Sequence, residues 1–215
     1  SGTLAEAVYR SNARGAKRKF ILVQIPERIE LLEKGQSAEV ERLSRNVMSV
    51  LGEAEEGYFI TDLAEERIRR SGDKLKSELG NDVASQDLGF RVFTLDESSV
   101  IVPKDGELFS QVVKPGRSEL DIVFEMMLKW GLELTLPVDR VDAAGYGAWS
   151  VASSELVCCL AEGLTYDALE AVASMQPRRV LILDSVLTDS LKLNAIQIFK
   201  RASERTGRGI ELRTI

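Results

Sequence analysis

The chain opens Ser1-Gly2-Thr3 and runs straight into a helix-forming stretch, Leu4 to Asn12, and then into the apolar run Phe20-Ile21-Leu22-Val23-Gln24. This is a glycine turn, a helix and a strand, with no strand ahead of the turn. Such a turn cradles a ligand only when a preceding strand holds its backbone N–H groups toward that ligand. The expectation is of a chain that begins partway through a cofactor-binding unit and forms part of a larger enzyme.

Phe20–Gln24 reads as a buried parallel strand because it is continuously apolar, and Pro26 ends it. Beyond Arg28 the apolar residues are Ile29, Leu31, Leu32, Val40, Leu43, Val47, Val50 and Leu51; Ser37 opens a helix, and Gly52 and Gly57 bracket its end. Thr61 to Leu79 reads as a long amphipathic helix with Leu63, Ile68, Leu75 and Leu79 on one side. Gly80 to Asp87 is polar, and Phe90–Leu95 alternates like a half-buried strand. The stretch from 96 to 117 carries Pro103, Gly106, Pro115 and Gly116 and reads as irregular. Ser118, three residues before Asp121, starts a helix over Glu119 to Trp130.

The C-terminal half alternates strand and helix. Gly145–Ser150 and Glu155–Leu160 form a hairpin around Ser153-Ser154; Thr165–Met175 is a helix; Arg179–Asp184 is a buried strand; Thr188–Thr206 is a helix; Ile210–Ile215 is a last strand. The pattern predicts an α/β fold: a partial Rossmann-like unit followed by a C-terminal α/β domain. The expected division is 1–60 for the remnant of the cofactor-binding domain, 61–86 for a helical linker and 87–215 for the C-terminal domain.

Composition narrows the function. The 215 residues carry 28 basic and 34 acidic side chains, a net charge of −6, which argues against nucleic-acid binding by the whole surface. The most basic stretch, Glu66 to Lys76, has five basic and two acidic residues, net +3. It is either a solvated helix face or a contact for phosphate or a partner. Histidine is absent, which excludes His-dependent triads and His-ligated metals within this chain. No apolar run approaches the roughly 18 residues of a membrane span. The two cysteines, Cys158 and Cys159, are adjacent and point to opposite faces of a strand, so they read as packing residues in a reducing, cytoplasmic setting.

Asp184, Asp189, Lys192 and Asn194 have the look of a small phosphoryl or metal cluster. The structural alternative is a helix capped by Thr188, with Asp189 at its N-terminal dipole and an Asp189–Lys192 ion pair. Trp130, Tyr146 and Trp149 flank glycines with no basic residue interleaved, which favours packing over base stacking. An unrelated nucleotide-binding reading lacks any Gly-x-Gly-x-x-Gly or phosphate-loop motif.

Seven segments in order carry a resemblance. They are Ser-Gly-Thr-Leu-Ala-Glu-Ala-Val at 1–8, Arg-Lys-Phe-Ile-Leu-Val-Gln-Ile-Pro-Glu at 18–27 and Glu-Glu-Arg-Ile-Arg-Arg-Ser-Gly at 65–72. Asp-Leu-Gly-Phe-Arg-Val-Phe-Thr-Leu-Asp at 87–96, Leu-Lys-Trp-Gly-Leu-Glu-Leu-Thr-Leu-Pro-Val at 128–138 and Leu-Val-Cys-Cys-Leu at 156–160 follow. The last is Leu-Asp-Ser-Val-Leu-Thr-Asp-Ser-Leu-Lys-Leu-Asn-Ala at 183–195. Together they resemble the modification subunit of type III restriction–modification systems, a β-class adenine-N6 DNA methyltransferase. In that family an Asp-Pro-Pro-Tyr catalytic loop comes first, then a recognition region, then a Phe-x-Gly-Ser-Gly-Thr cofactor loop.

The resemblance implies that Ser1-Gly2-Thr3 is the tail of that loop and binds S-adenosylmethionine, and that Gln24 stands where an acidic residue commonly bonds the ribose hydroxyls, with Glu27 as a substitute. For Ser1-Gly2-Thr3 the competing reading is an ordinary helix N-cap, and for Gln24 a loop-facing polar residue. Arg67, Arg69 and Arg70 are the candidate DNA contacts, with a structural salt bridge as the alternative. No catalytic residue is assigned, because Asp-Pro-Pro-Tyr does not occur in these 215 residues. The implied partners are DNA, a second copy in a homodimer and a restriction subunit. The alternative is a dimerisation or docking module without its own catalysis.

Overall fold

A computed structural model describes residues 2–29, 38–52, 58–101 and 113–215. Ser1, Leu31, Leu32, Ser37, Gly57, Pro103 and Gly106 lie outside the described residues. The chain divides into two compact units, Ser1–Val92 and Phe93–Ile215.

The first unit is built on helices. Helix α1 spans Thr3–Ala13, a two-residue strand β1 spans Arg28–Ile29, helix α2 spans Ala38–Leu51, strand β2 spans Tyr58–Phe59, and helix α3 spans Ile60–Leu79. β1 and β2 pair antiparallel, Arg28 opposite Phe59 and Ile29 opposite Tyr58. Ala5 and Tyr9, four apart on α1, pack against Ile68 and Leu75 of α3, with Phe20, Leu88 and Phe90 closing the cluster. Spacings of three and four residues put these side chains on one stripe of each helix. The Tyr9 hydroxyl donates to the Leu88 carbonyl at 3.0 Å, and Phe20 meets the Tyr9 ring edge-on at 5.8 Å.

Two expected strands do not form. Residues 20–24 and 90–95 belong to no β-ladder among the described residues. Phe20 is tucked against the helices, whereas Ile21, Val23 and Ile25 are 87%, 93% and 71% exposed. Val92 and Leu95 are exposed as well. Both segments have the composition of strands, but a strand is stable only when a neighbour takes its N–H and C=O groups and a layer covers its face.

The second unit is a sheet with helices on both faces. Helix α4 covers Glu119–Lys129; strands β3, β4 and β5 cover Val138–Ala143, Tyr146–Val151 and Leu156–Cys159; helix α5 covers Tyr166–Ser174; β6 covers Arg179–Ile182; α6 covers Asp189–Thr206; β7 covers Glu211–Thr214. The sheet order is β3-β4-β5-β6-β7. The first two pairings are antiparallel, and β5–β6 and β6–β7 are parallel. Parallel neighbours need crossover connections, which α5 and α6 supply.

Alternation sorts the strand residues. Val157, Cys159, Val180 and Ile182 face α5 and α6, where Phe199 and Ile198 are fully buried. Leu156, Cys158 and Leu181 face Val123 and Met127 of α4. Burying each such side chain contributes roughly 1.5–3 kcal/mol, which makes these two layers the main source of stability here.

Most of this half was readable in advance. Ser118 accepts from the Asp121 N–H while Asp121 returns a bond to the Ser118 N–H, closing the capping box. Thr165 and Thr188 cap α5 and α6 through the N–H groups of Ala168 and Leu191. Strand β3 was not expected. Its run Val138-Asp139-Arg140-Val141-Asp142-Ala143 is half charged, as suits a sheet edge, and the two-residue turn Ala144-Gly145 joins it to β4 with both residues at positive φ.

Glu125 on α4 ties down the segment ahead of the helix. It accepts from the Ser99 N–H at 2.6 Å, from Lys129 at 2.7 Å and from the Ser98 hydroxyl. Burial works to raise its pKa, but these donors outweigh it and hold the carboxyl at about 2. The folded value lies below the ordinary 4.5, so the contribution is full above that pH and is lost as pH falls toward 2. We expect acid unfolding of wild-type protein, followed by circular dichroism, to steepen between pH 4.5 and 2. Glu125→Gln should be less stable at pH 7 and flatter across that window; an unchanged acid profile would refute this role.

Candidate functional site

The head of α1 is the first candidate. Gly2 is buried and adopts the left-handed φ of 70° that glycine tolerates without steric cost. Its close approach serves α3: a Cβ built there would lie 3.0 Å from the Ala64 carbonyl oxygen and 3.2 Å from the Arg67 Cβ. Arg67 donates its Nη2 to the Thr3 Oγ1 at 3.2 Å. A guanidinium and a hydroxyl thus meet at a helix end, where the N–H groups of the first turn have no partner within the helix. The macrodipole adds partial positive charge there, so the position favours an anion such as a carboxylate. Nothing in the sequence pairs Arg67 with Thr3, which lies 64 positions away; only the packing of α3 on α1 joins them.

The other first-unit candidates fall elsewhere. Ser1 lies outside the described residues. The Gln24 side-chain amide donates to the carbonyl of its neighbour Ile25 at 3.2 Å. Glu27 contributes a backbone carbonyl that accepts from the Ile60 N–H at 3.0 Å. Arg70 binds Glu66 at 2.7 Å, and Arg69 binds the same carboxylate from the next position. Bonds from Arg70 and then Arg69 lower the Glu66 pKa. These are exposed pairs within one helix, worth about 0.3–0.5 kcal/mol each, so the apolar stripe rather than the charge holds α3 in place.

In the second unit, Asp184 and Lys192 form an ion pair at the carboxyl end of β6. This corrects the expected Asp189–Lys192 pair. The short 3-10 turn Asp184–Val186 places Asp184 eight residues before Lys192 yet within reach of it. Asp189 sits in the first turn of α6 and Asn194 is half-buried further along the helix. Among the described residues no group of three or more His, Cys, Asp or Glu side chains is placed to hold a metal ion.

The aromatic residues gain cations that sequence order does not reveal. Arg179 and Arg213 lie 5.9 Å and 5.4 Å from the Trp130 ring, and Arg140 lies 4.9 Å from that of Trp149. The Trp149 indole N–H donates to Glu119 at 2.6 Å. Glu155 and Glu211 balance Arg179 at 3.5 Å each. The Tyr146 hydroxyl donates to the Ala161 carbonyl at 2.7 Å, and burial pushes its pKa up. These rings brace the strands against α4 and the β5–α5 loop.

No protein-family model matches this chain, and no curated protein matches it either.

Cys158 and Cys159 are fully buried on opposite faces of β5, and burial pushes the Cys159 thiol up to about 12. That excludes a reactive thiolate at neutral pH. Among the described residues no helix is long and apolar enough to cross a membrane.

The glycine at the head of α1 gives a sharp expectation. Gly2→Ala must adopt a left-handed φ, at about 1–2 kcal/mol, and must also push on the Ala64 carbonyl. Urea unfolding should show a loss of at least this size in the first unit. A stability equal to wild type would show that α1 and α3 do not meet at Gly2.

Proposed function

We propose that this chain is part of a site-specific adenine-N6 DNA methyltransferase of the type III restriction–modification kind. In this reading its first unit forms one wall of a Rossmann-like S-adenosylmethionine site. The observation that carries the reading is the head of α1, where the Arg67 guanidinium meets the Thr3 hydroxyl at the helix N-terminus that follows Gly2. This donor set suits the carboxylate of the methyl donor's amino-acid moiety. The resemblance of the seven ordered segments, spread over nearly the whole chain, supports the same assignment. So do the exposed apolar faces of residues 20–25 and 90–95, which have the composition of strands in a larger sheet.

S-adenosylmethionine would supply an electrophilic methyl group. The residues of this chain would hold its carboxylate at Thr3 and Arg67 and offer the Gln24 amide to the ribose diol, without the charge an acidic residue would bring. The target adenine would be rotated out of the duplex to reach the methyl group. The Asp-Pro-Pro-Tyr loop that grips the base in the family is not among these residues, so the reading assigns no catalytic group to them. Of the expected DNA contacts Arg67, Arg69 and Arg70, Arg67 is taken up at Thr3, which leaves Arg69 and Arg70 as the proposed approach to DNA phosphate. A restriction subunit and a second copy are the proposed protein partners, in a cytoplasmic setting.

The alternative, a dimerisation or docking module with no catalysis of its own, draws on the second unit. Its sheet ends in strand β7, which has β6 as its one neighbour among the described residues.

The test is the open reading frame that encodes these residues. We expect Asp-Pro-Pro-Tyr and then Phe-x-Gly in frame ahead of Ser1. The product of that frame should transfer tritiated methyl from S-adenosylmethionine to adenine N6 in duplex DNA, and residues 1–215 alone should not. A frame lacking both motifs, or turnover by residues 1–215 alone, overturns the reading.

A further inference from the structure

Strand β7 carries an acidic and a basic residue two positions apart, Glu211 and Arg213, which pair with each other at 2.7 Å along the strand. At the two ends of the β6–β7 ladder the Glu211 N–H donates inward to the Arg178 carbonyl at 2.9 Å and the Ile215 N–H to the Ile182 carbonyl at 3.1 Å. By the twofold period of a strand, Leu212 and Thr214 turn their N–H and C=O groups outward, to the edge that has no neighbour among the described residues. An outward-facing residue can pair with its own copy across a twofold axis, exchanging both hydrogen bonds. Centring that axis on Leu212 sets Leu212 against Leu212 of the copy and sets Glu211 against Arg213 of the copy, twice. The acidic and basic residues of β7 therefore become cross-strand pairs of opposite sign. Centring it on Thr214, the other outward-facing residue, would set Arg213 against Ile215 of the copy and pair no opposite charges.

The layer beside this edge agrees with the pairing. On α6, Leu193 and Ile196 are 64% and 53% exposed and lie three residues apart. Ile196 joins Phe199, Ile210 and Leu212 in lining a groove of about 400 Å³ whose rim carries both charge signs, Lys200 and Glu204. Opposed charge on the strand and apolar area on the adjacent helix are thus complementary to themselves.

We propose that two copies of this chain associate through β7 in an antiparallel pairing centred on Leu212, extending two five-stranded sheets into one of ten strands, with the exposed face of α6 covered in the same step. This names the surface for the second copy included in the proposed function and rests on that part of it alone; methyl transfer plays no role.

The test begins with the mass of the full chain by light scattering at micromolar concentration, where a dimer is expected. Glu211→Arg and Arg213→Glu each place like charges opposite one another and should weaken self-association about tenfold. An equimolar mixture of the two variants should recover a heterodimer by native mass spectrometry, because each supplies the sign the other needs. Leu212→Cys should form an intermolecular disulfide under mild oxidation, since a hydrogen-bonded antiparallel pair sets the Cα atoms about 5.5 Å apart. The native cysteines are buried and do not compete. A monomer at every concentration overturns both this surface and the second copy itself. A dimer with no Leu212→Cys cross-link and unchanged charge variants overturns the surface and leaves the second copy standing.

Discussion

Pairing of backbone groups between neighbouring strands governs where this chain acquires order. In the second unit β5 and β6 lie parallel, Val157 beside Val180 and Cys158 beside Leu181, and every residue of β5 is buried. Such a ladder satisfies main-chain groups that would otherwise cost free energy in a dry interior. It also presents two apolar faces at once, which α4 covers on one side and α5 with α6 on the other. The crossover helices, the buried thiols and the Glu125 anchor all depend on this central pair being in place.

The same constraint explains the first unit and the first residues of the second. Residues 20–25 and 90–95 have strand composition, yet each lacks a ladder partner among the described residues and leaves large apolar side chains in water. Order in the first unit comes instead from the α1–α3 contact, where Gly2 lets the two helices approach closely. The proposed methyl-donor wall depends on that contact, because it carries Arg67 to Thr3.

How far the sites could be read depended on the distance between their members in sequence. Capping residues act over three positions, so Ser118 and Thr188 were legible as caps, whereas Thr165 was expected inside its helix and instead caps it. The facing of Cys158 and Cys159 followed from strand period alone. Pairings over longer spans were not legible. Lys192 was expected on Asp189 and instead meets Asp184, and the tryptophans acquired Arg179, Arg213 and Arg140 from other elements. The charged strand β3 escaped notice because edge strands do not show the apolar run that marks a buried one.

The amino-acid order alone determined the local elements of the C-terminal half and the absence of histidine chemistry. Helix period, strand alternation and caps act over a few residues and need no distant partner. Tertiary structure decided the rest. It decided which apolar runs became strands, because that requires a neighbour; which arginine reached Thr3, because that requires two helices to pack; and which two strands, β3 and β7, end the sheet among the described residues, because that follows from strand order in space.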